Sequence, residues 1–309
     1  MDIPLQQLLN GLVLGSVYAL IALGYTMVYG ILQLINFAHG EVLMVGALTA
    51  YSTVSLLGQI APGLPGPIKL MVGLLAAIVV CVLLNITIER VAYRPLRNAP
   101  RLAPLITAIG VSIVLQTLAM LIWGRNYLVF PATMPNDPVP IAGASITPVQ
   151  LLIIVIAAAL MMGLVLLVNR TKLGRAMRAT AENPQVAGLM GVDANRVIVA
   201  TFAIGAALAA VAGVMMAANY STVHFYMGFL PGLKAFTAAV LGGIGNIYGA
   251  MVGGLLLGLI ETFGAGYLGP LTGGVLGAHY QDIFAFIVLI LVLTLRPQGI
   301  MGERVADRA

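Results

Sequence analysis

Charge is scarce in this chain: Asp, Glu, Lys and Arg together make up 8% of 309 residues, while hydrophobic residues make up 61%. With a mean hydropathy of +1.04, so few charges exclude an ordinary soluble domain. Cysteine is nearly missing too. Cys81 stands alone in an apolar run, which excludes an intrachain disulfide and a multi-cysteine metal site and leaves it a small core hydrophobe. The three histidines have no His-x3-His spacing and no acidic companion at ligand spacing, so no metal site is visible. The GxxxxGK[ST] pattern is absent, and the Gly242-Gly243-Ile244-Gly245 cluster lacks the alternating strands of a dinucleotide-binding unit. No nucleotide site can be read in the chain. No serine or cysteine carries the flanking motif of a nucleophile, so an enzyme is disfavoured. Met1-Asp2-Ile3-Pro4 lacks a basic n-region and no small-residue cleavage site follows the first apolar run, so the first span is expected to be retained.

What is abundant is apolar sequence in long runs, near 6–30, 36–57, 68–89, 103–124, 148–168, 198–218, 229–243, 247–265 and 280–295. A spanning helix needs about 20 such residues, which predicts one membrane domain over 1–309. The expected fold class is all-α: a polytopic membrane bundle of about eight or nine spans, with broken or re-entrant helices and a candidate inverted repeat. The run 229–243 is short enough either to cross or to re-enter.

The net charge of +5 comes from Lys and Arg in short loops, a pattern of topology rather than of nucleic-acid binding. Arg90, Arg94, Arg97 and Arg101 mark one cytoplasmic linker, and Lys172, Arg175, Arg178 and Arg196 mark a second. Arg296, Arg304 and Arg308 place the C-terminus on the same side. Gly58–Pro67 and the proline-rich stretch Arg125–Thr147 with Asp137 are assigned to the opposite side, which leaves the N-terminus outside.

Residues 11–50 run as a Gly/Ala-rich span, a polar break from Asn36 to Glu41, and a second span. Residues 198–243 repeat that plan with a break at Tyr220–Gly232, and on the charge-derived topology the two units enter from opposite sides. Glycines at four-residue spacing, such as Gly245, Gly249 and Gly253 or Gly254 and Gly258, read as close helix packing.

Polar residues at membrane depth are few: Asn36, His39, Glu41, Lys234 and Glu261. Such residues face a bundle interior or a wet pathway, or else finish a helix at the interface. On one helix His39 and Glu41 would lie about 200° apart, a constraint that an unwound break would relax. Lys234 is expected to snorkel to the surface, with neutralisation of Glu41 or Glu261 as the alternative.

The stretch Thr171–Asp193 is a polar, basic island. Asn183 can cap a helix whose first turn holds Pro184, and Gly191 can stop it. Val186, Leu189 and Met190 then share one face, preceded by Lys172, Arg175 and Arg178. That face fits a groove in a soluble partner, or lipid headgroups.

The run LGRAMRATAENPQVAGLMGVD resembles the coupling segment of branched-chain amino acid ABC transporter permeases. NGLVLGSVYALIALGYTMVYGILQLINFAHGEVLMVGA, ERVAYRPLR and GLKAFTAAVLGGIGNIYGAMVGG resemble the same family, so the likeness spans essentially the whole chain. The NFAHGE stretch is similar to the first of the family's two homologous membrane subunits. The resemblance implies an importer of the bacterial inner membrane for leucine, isoleucine and valine. It implies a second permease subunit, a periplasmic binding protein, and two cytoplasmic ATPase subunits that hold ATP and Mg, with no cofactor in this chain. Related permeases carry urea, short amides or other neutral amino acids. Arg175, Arg178, Glu182, Asn183, Pro184, Val186, Leu189 and Met190 are the expected ATPase-coupling residues. Asn36, His39, Glu41 and Lys234 are the expected substrate pathway. An ion-coupled carrier would need embedded carboxylates that are in short supply, and a passive channel would not need ATP.

Overall fold

A computed structural model describes residues 3–97, 99–100, 102–134, 137–141, 143–271 and 280–302. Arg101, Arg304 and Arg308, used above to assign sides, lie outside them. Four helices come first: α1 (Ile3–Leu32), α2 (His39–Ile60), α3 (Gly66–Ile88) and α4 (Leu102–Trp123). A π-helical turn (Glu89–Tyr93) and a 3-10 turn (Arg94–Leu96) extend α3. Three further helices connect the halves: α5 (Pro148–Arg170), α6 (Lys172–Glu182) and α7 (Pro184–Leu189). The chain closes with α8 (Ala194–Tyr220), α9 (Phe229–Gly242), α10 (Ile247–Leu271) and α11 (Gln281–Leu295). Short antiparallel pairs join β1 (Leu128–Val129) to β4 (Thr222–Val223) and β2 (Val139–Ile141) to β3 (Ala144–Ile146).

Seven of these helices are long and apolar enough to cross a membrane: α1, α2, α3, α4, α5, α8 and α10. The bundle has two distinct ends. At the strand end, β1 and β4 tie α4 to α8, and the Gln6 side chain exchanges hydrogen bonds of 3.0 and 2.8 Å with the backbone of Ser145. At the opposite end Arg97 donates to Asn195 at 2.5 Å, and Asn169 of α5 donates to the Tyr248 hydroxyl of α10 at 2.7 Å. Successive long helices alternate between these ends, as the charge pattern predicts.

The short segment 229–243 finishes at the opposite end from where its approach begins. Its approach leaves β4 at the strand end and runs inward without helix over 224–228. Helix α9 has 14 residues, about 21 Å, against a hydrocarbon core of about 30 Å. Its last turn is tied to the chain after α11, where Ile300 and Met301 donate to Leu241 and Gly242 at 2.9 Å. The segment therefore traverses the bundle as a broken span.

The two halves repeat with inverted direction. Helices α1 and α8 each stop at a non-glycine residue with φ 54°, Gln33 and Ser221, then give way to non-helical chain before α2 and α9. The packing pairs correspond: α1 against α10 as α8 against α3, α2 against α8 as α9 against α1, and α2 against α3 as α9 against α10. Since α1 starts at the strand end and α8 finishes there, the repeats are antiparallel.

Small residues make close seams. At the α1–α10 crossing a β-carbon on Gly15 would lie 2.8 Å from the Leu255 Cα, and one on Gly258 would strike Gly15. Gly249, Gly253, Gly254 and Gly258 thus act in close packing, whereas Gly245 lies in the turn before α10 with φ +96°. Leu75, Leu83, Ile106, Leu121, Val155 and Leu166 on α3, α4 and α5 face outward, as lipid-exposed side chains do. Cys81 is a buried packing residue whose thiol donates to the Val42 carbonyl at 3.2 Å.

Candidate functional site

The starts of α2 and α9 meet inside the bundle. A β-carbon on Gly40 would collide with the Gly228 carbonyl oxygen, one on Gly228 would collide with the Gly40 carbonyl oxygen, and Gly232 lies against the same spot. Only residues without a side chain allow this approach.

Around this junction stand three of the four expected pathway residues. Asn36 is 1% exposed, and its Oδ1 accepts from the Ala38 amide at 3.1 Å and from the Tyr93 hydroxyl at 2.8 Å. That double acceptance holds the chain of 33–38 in its non-helical path. His39 is buried against Gly24 and Gly205, with its ring edge-on to Tyr25 at 4.9 Å. Glu41 is also buried; one carboxylate oxygen accepts from Ser112 at 3.1 Å and from Gln116 at 2.7 Å, both on α4. Its second oxygen has no partner among the described residues. The helix begins at His39, so the unwound break ends before it. His39 points at α1 and α8 while Glu41 points at α4, and they do not share a face.

A cavity of about 230 Å³ opens beside Glu41, walled by Tyr25, Phe37, Ile109, Phe229 and Leu233. Two larger cavities, about 410 and 390 Å³, share Leu14, Met216, Tyr220 and Gln281. Their polar lining includes Gln7, Asn10, Gln150 and Asn219 near the strand end, and they reach inward to Lys234. Sequence reasoning passes over these amides, because an uncharged Asn or Gln near a span end gives no depth signal.

Lys234 does not snorkel. It is 6% exposed, bonded to Glu261, and 2.5 Å from an Asp282 oxygen, with its ammonium 5.8 Å from the centre of the Tyr18 ring. The long stem that allows snorkelling also allows it to reach partners on α10 and α11, and an unpaired lysine at this depth would cost more than a paired one. It pairs with Glu261 and not with Glu41.

A further buried carboxylate, Glu89, links the junction to the basic end. Glu89 begins the π-helical turn, is fully buried, and accepts from Arg97, which also holds Asn195 at the start of α8. Arg94 lies 3.8 Å from the same oxygen. Tyr93 closes that turn and reaches Asn36. The motif ERVAYRPLR is therefore a connector between the polar break and the residues that follow the island.

The island forms two helices rather than one. Thr171 caps α6 through the Gly174 amide at 3.0 Å, so Lys172, Arg175 and Arg178 are helical and not a lead-in; Gly174, Met177 and Thr180 face inward. Asn183 caps α7 through the amides of Gln185 and Val186 at 3.0 and 3.1 Å, Pro184 occupies its first turn, and Gly191 has φ +84°. Val186, Leu189 and Met190 are 53%, 87% and 81% exposed, an apolar face that none of the described residues covers. Arg175, Arg178 and Glu182 are exposed, and Arg178 also folds back to donate to the Val168 carbonyl of α5. This bond holds α6 against α5.

Comparisons with known proteins place this architecture. Residues 7–293 match the family described as the permease component of the branched-chain amino acid transport system. The chain is 50% identical over 304 residues to the high-affinity branched-chain amino acid transport system permease protein BraD of Pseudomonas aeruginosa, covering 97% of this chain and 96% of the relative. It is 45% identical over 303 residues to LivH of Escherichia coli K12, a permease of the same description, with the same coverage. An autoinducer 2 import system permease, LsrC of Yersinia enterocolitica, is 29% identical over 62% of the chain. Among solved structures, PsaBC from Streptococcus pneumoniae shares the fold with a TM-score of 0.50 at 12% identity, covering 96% of this chain and 93% of that one. With its family matched over nearly its full length, this multi-pass membrane chain belongs to the branched-chain amino acid transport permeases.

Proposed function

We propose that this chain is the membrane-spanning permease subunit of an ATP-driven importer that moves leucine, isoleucine and valine across a bacterial inner membrane. The observation that carries this reading is the pairing of an uncovered apolar face at the basic end with full-length relatives described as high-affinity branched-chain amino acid permeases. Energy has to come from outside the chain. Two cytoplasmic ATPase subunits holding ATP and Mg dock on α6–α7, a second homologous permease completes the path, and a periplasmic binding protein delivers substrate at the strand end. The end that carries α6 and α7 is cytoplasmic, as is the C-terminus, and residues 1–309 act as one permease domain.

In this mechanism closure of the ATPase pair displaces α6 and α7. The motion reaches the bundle through α5, to which Arg178 anchors α6, and through Arg97, which ties Asn195 to Glu89. The π-turn carries it to Asn36 through Tyr93, and the α2–α9 junction shifts between inward and outward opening. Asn36, His39, Glu41 and Lys234 form the polar part of the route, in otherwise apolar surroundings suited to branched aliphatic side chains.

Uptake into proteoliposomes containing both permeases, the ATPases and the binding protein tests this. Labelled leucine accumulating only with ATP inside agrees. Urea accumulating in its place would keep the mechanism and replace the substrate. Equal flux with a non-hydrolysable analogue would sink the importer reading.

A further inference from the structure

We propose that the cavity beside Glu41 is a zwitterion site. The unpaired Glu41 oxygen takes the α-ammonium of the amino acid, the N-terminus of α9 takes its carboxylate, and Phe37, Ile109 and Leu233 take its side chain. This deepens the transport reading and rests on it.

The first observation is an incomplete carboxylate. Glu41 is 1% exposed, one oxygen is saturated by Ser112 and Gln116, and the other has no partner among the described residues although the side chain lines a cavity. Among the described residues no Lys or Arg forms an ion pair with it. Buried charges are normally paired, so the site has one position left for a cation with N–H donors. Glu41 also sits in the first turn of α2, where the helix dipole favours a negative group and holds the charge in place.

The second observation is what faces Glu41. Gly228, Phe229 and Gly232, at the start of α9, line the same cavity. They stand at the positive end of a 14-residue helix dipole, complementary to a carboxylate, with the Phe229 and Gly232 amides themselves donating to the Tyr226 and Gly228 carbonyls. Opposite signs across one space suit a zwitterion better than a simple cation or anion. The volume of about 230 Å³ is many times the ~10–15 Å³ that one water needs, leaving room for a small amino acid. The remaining walls are mainly aromatic and aliphatic, and their polar groups are the Tyr25 hydroxyl, beside Gly232, and Ser112.

Glu41→Gln tests the charge while leaving an oxygen for Ser112 and Gln116. In proteoliposomes holding the whole complex, leucine moved per ATP hydrolysed is expected to fall about tenfold or more, the scale of a lost charge-assisted hydrogen bond. Glu41→Asp should recover part of it. Unchanged uptake per ATP in Glu41→Gln would overturn the site, and so would uptake and hydrolysis falling together with a lower unfolding temperature, since that assigns Glu41 to folding. Absence of ATP-dependent leucine uptake in the unaltered complex would instead fail the transport reading itself.

Discussion

Gly40 and Gly228 each place a carbonyl oxygen where the other would need a β-carbon. This contact, which Gly232 shares, brings the starts of the two broken helices of the inverted repeats together. Asn36, His39 and Glu41 are grouped there because α2 begins there.

Alanine at either glycine is therefore expected to force the two helix starts apart, at about 1–3 kcal/mol each. Gly58→Ala, on the exposed end of α2 with nothing within 4 Å of a new β-carbon, should instead stabilise by about 0.5–1 kcal/mol. Unfolding temperatures of the detergent-solubilised chain would show opposite signs for the two classes. The same sign in both would argue against a close contact between the two helix starts.

The Lys234–Glu261 pair is the second test of the buried chemistry. Lys234→Met leaves a fully buried carboxylate without its cation and should cost about 3–5 kcal/mol. The double substitution Lys234→Met with Glu261→Met should recover much of that loss, since the carboxylate that still loses its cation, Asp282, is half-exposed and not buried. If single and double variants unfold alike, the pair does not govern stability.

Tyr93→Phe removes one hydrogen bond to Asn36 while keeping the ring packed against Phe202. A stability loss of about 0.5–1.5 kcal/mol is expected. Leucine uptake per ATP should fall by more than the loss of folded protein explains, because the link between the π-turn and the break is cut. Equal falls in uptake and folded protein would reduce Tyr93 to a packing residue.

Leu189→Asp and Met190→Asp place charge on an uncovered face, so folding of the chain alone should be within about 0.5 kcal/mol of normal. Co-purification of the ATPase subunits should be lost, and with it ATP-driven uptake. Intact association with both aspartates present would move the docking surface elsewhere.

Much of this architecture is legible in the sequence because its determinants are local. The spans follow from apolar length, and α7 follows from Asn183, Pro184 and Gly191 within nine residues. Helix α6 escapes notice because its inward face, Gly174, Met177 and Thr180, is small and partly polar, so the buried stripe is inconspicuous. Lys234 is misplaced by its sequence because its partners, Glu261 and Asp282, are distant along the chain and reached only after α9, α10 and α11 pack together. The Glu89–Arg97–Asn195 link is invisible for a similar reason: its partners converge only when α3 meets α8. Helical spacing separates His39 from Glu41 correctly, yet it gives no hint that α4 supplies Ser112 and Gln116.

The most direct measurement of the central claim is the accessibility of the α2–α9 junction during the ATP cycle. Cys81, the chain's one cysteine, is buried, so Leu233→Cys with Cys81→Ala gives a single reporter in the cavity wall. In the full complex, a membrane-impermeant thiol reagent should label it from one side without nucleotide and from the other with a non-hydrolysable ATP analogue. Labelling that ignores nucleotide, or that never reaches the introduced thiol from either side, would contradict a translocation route through this junction.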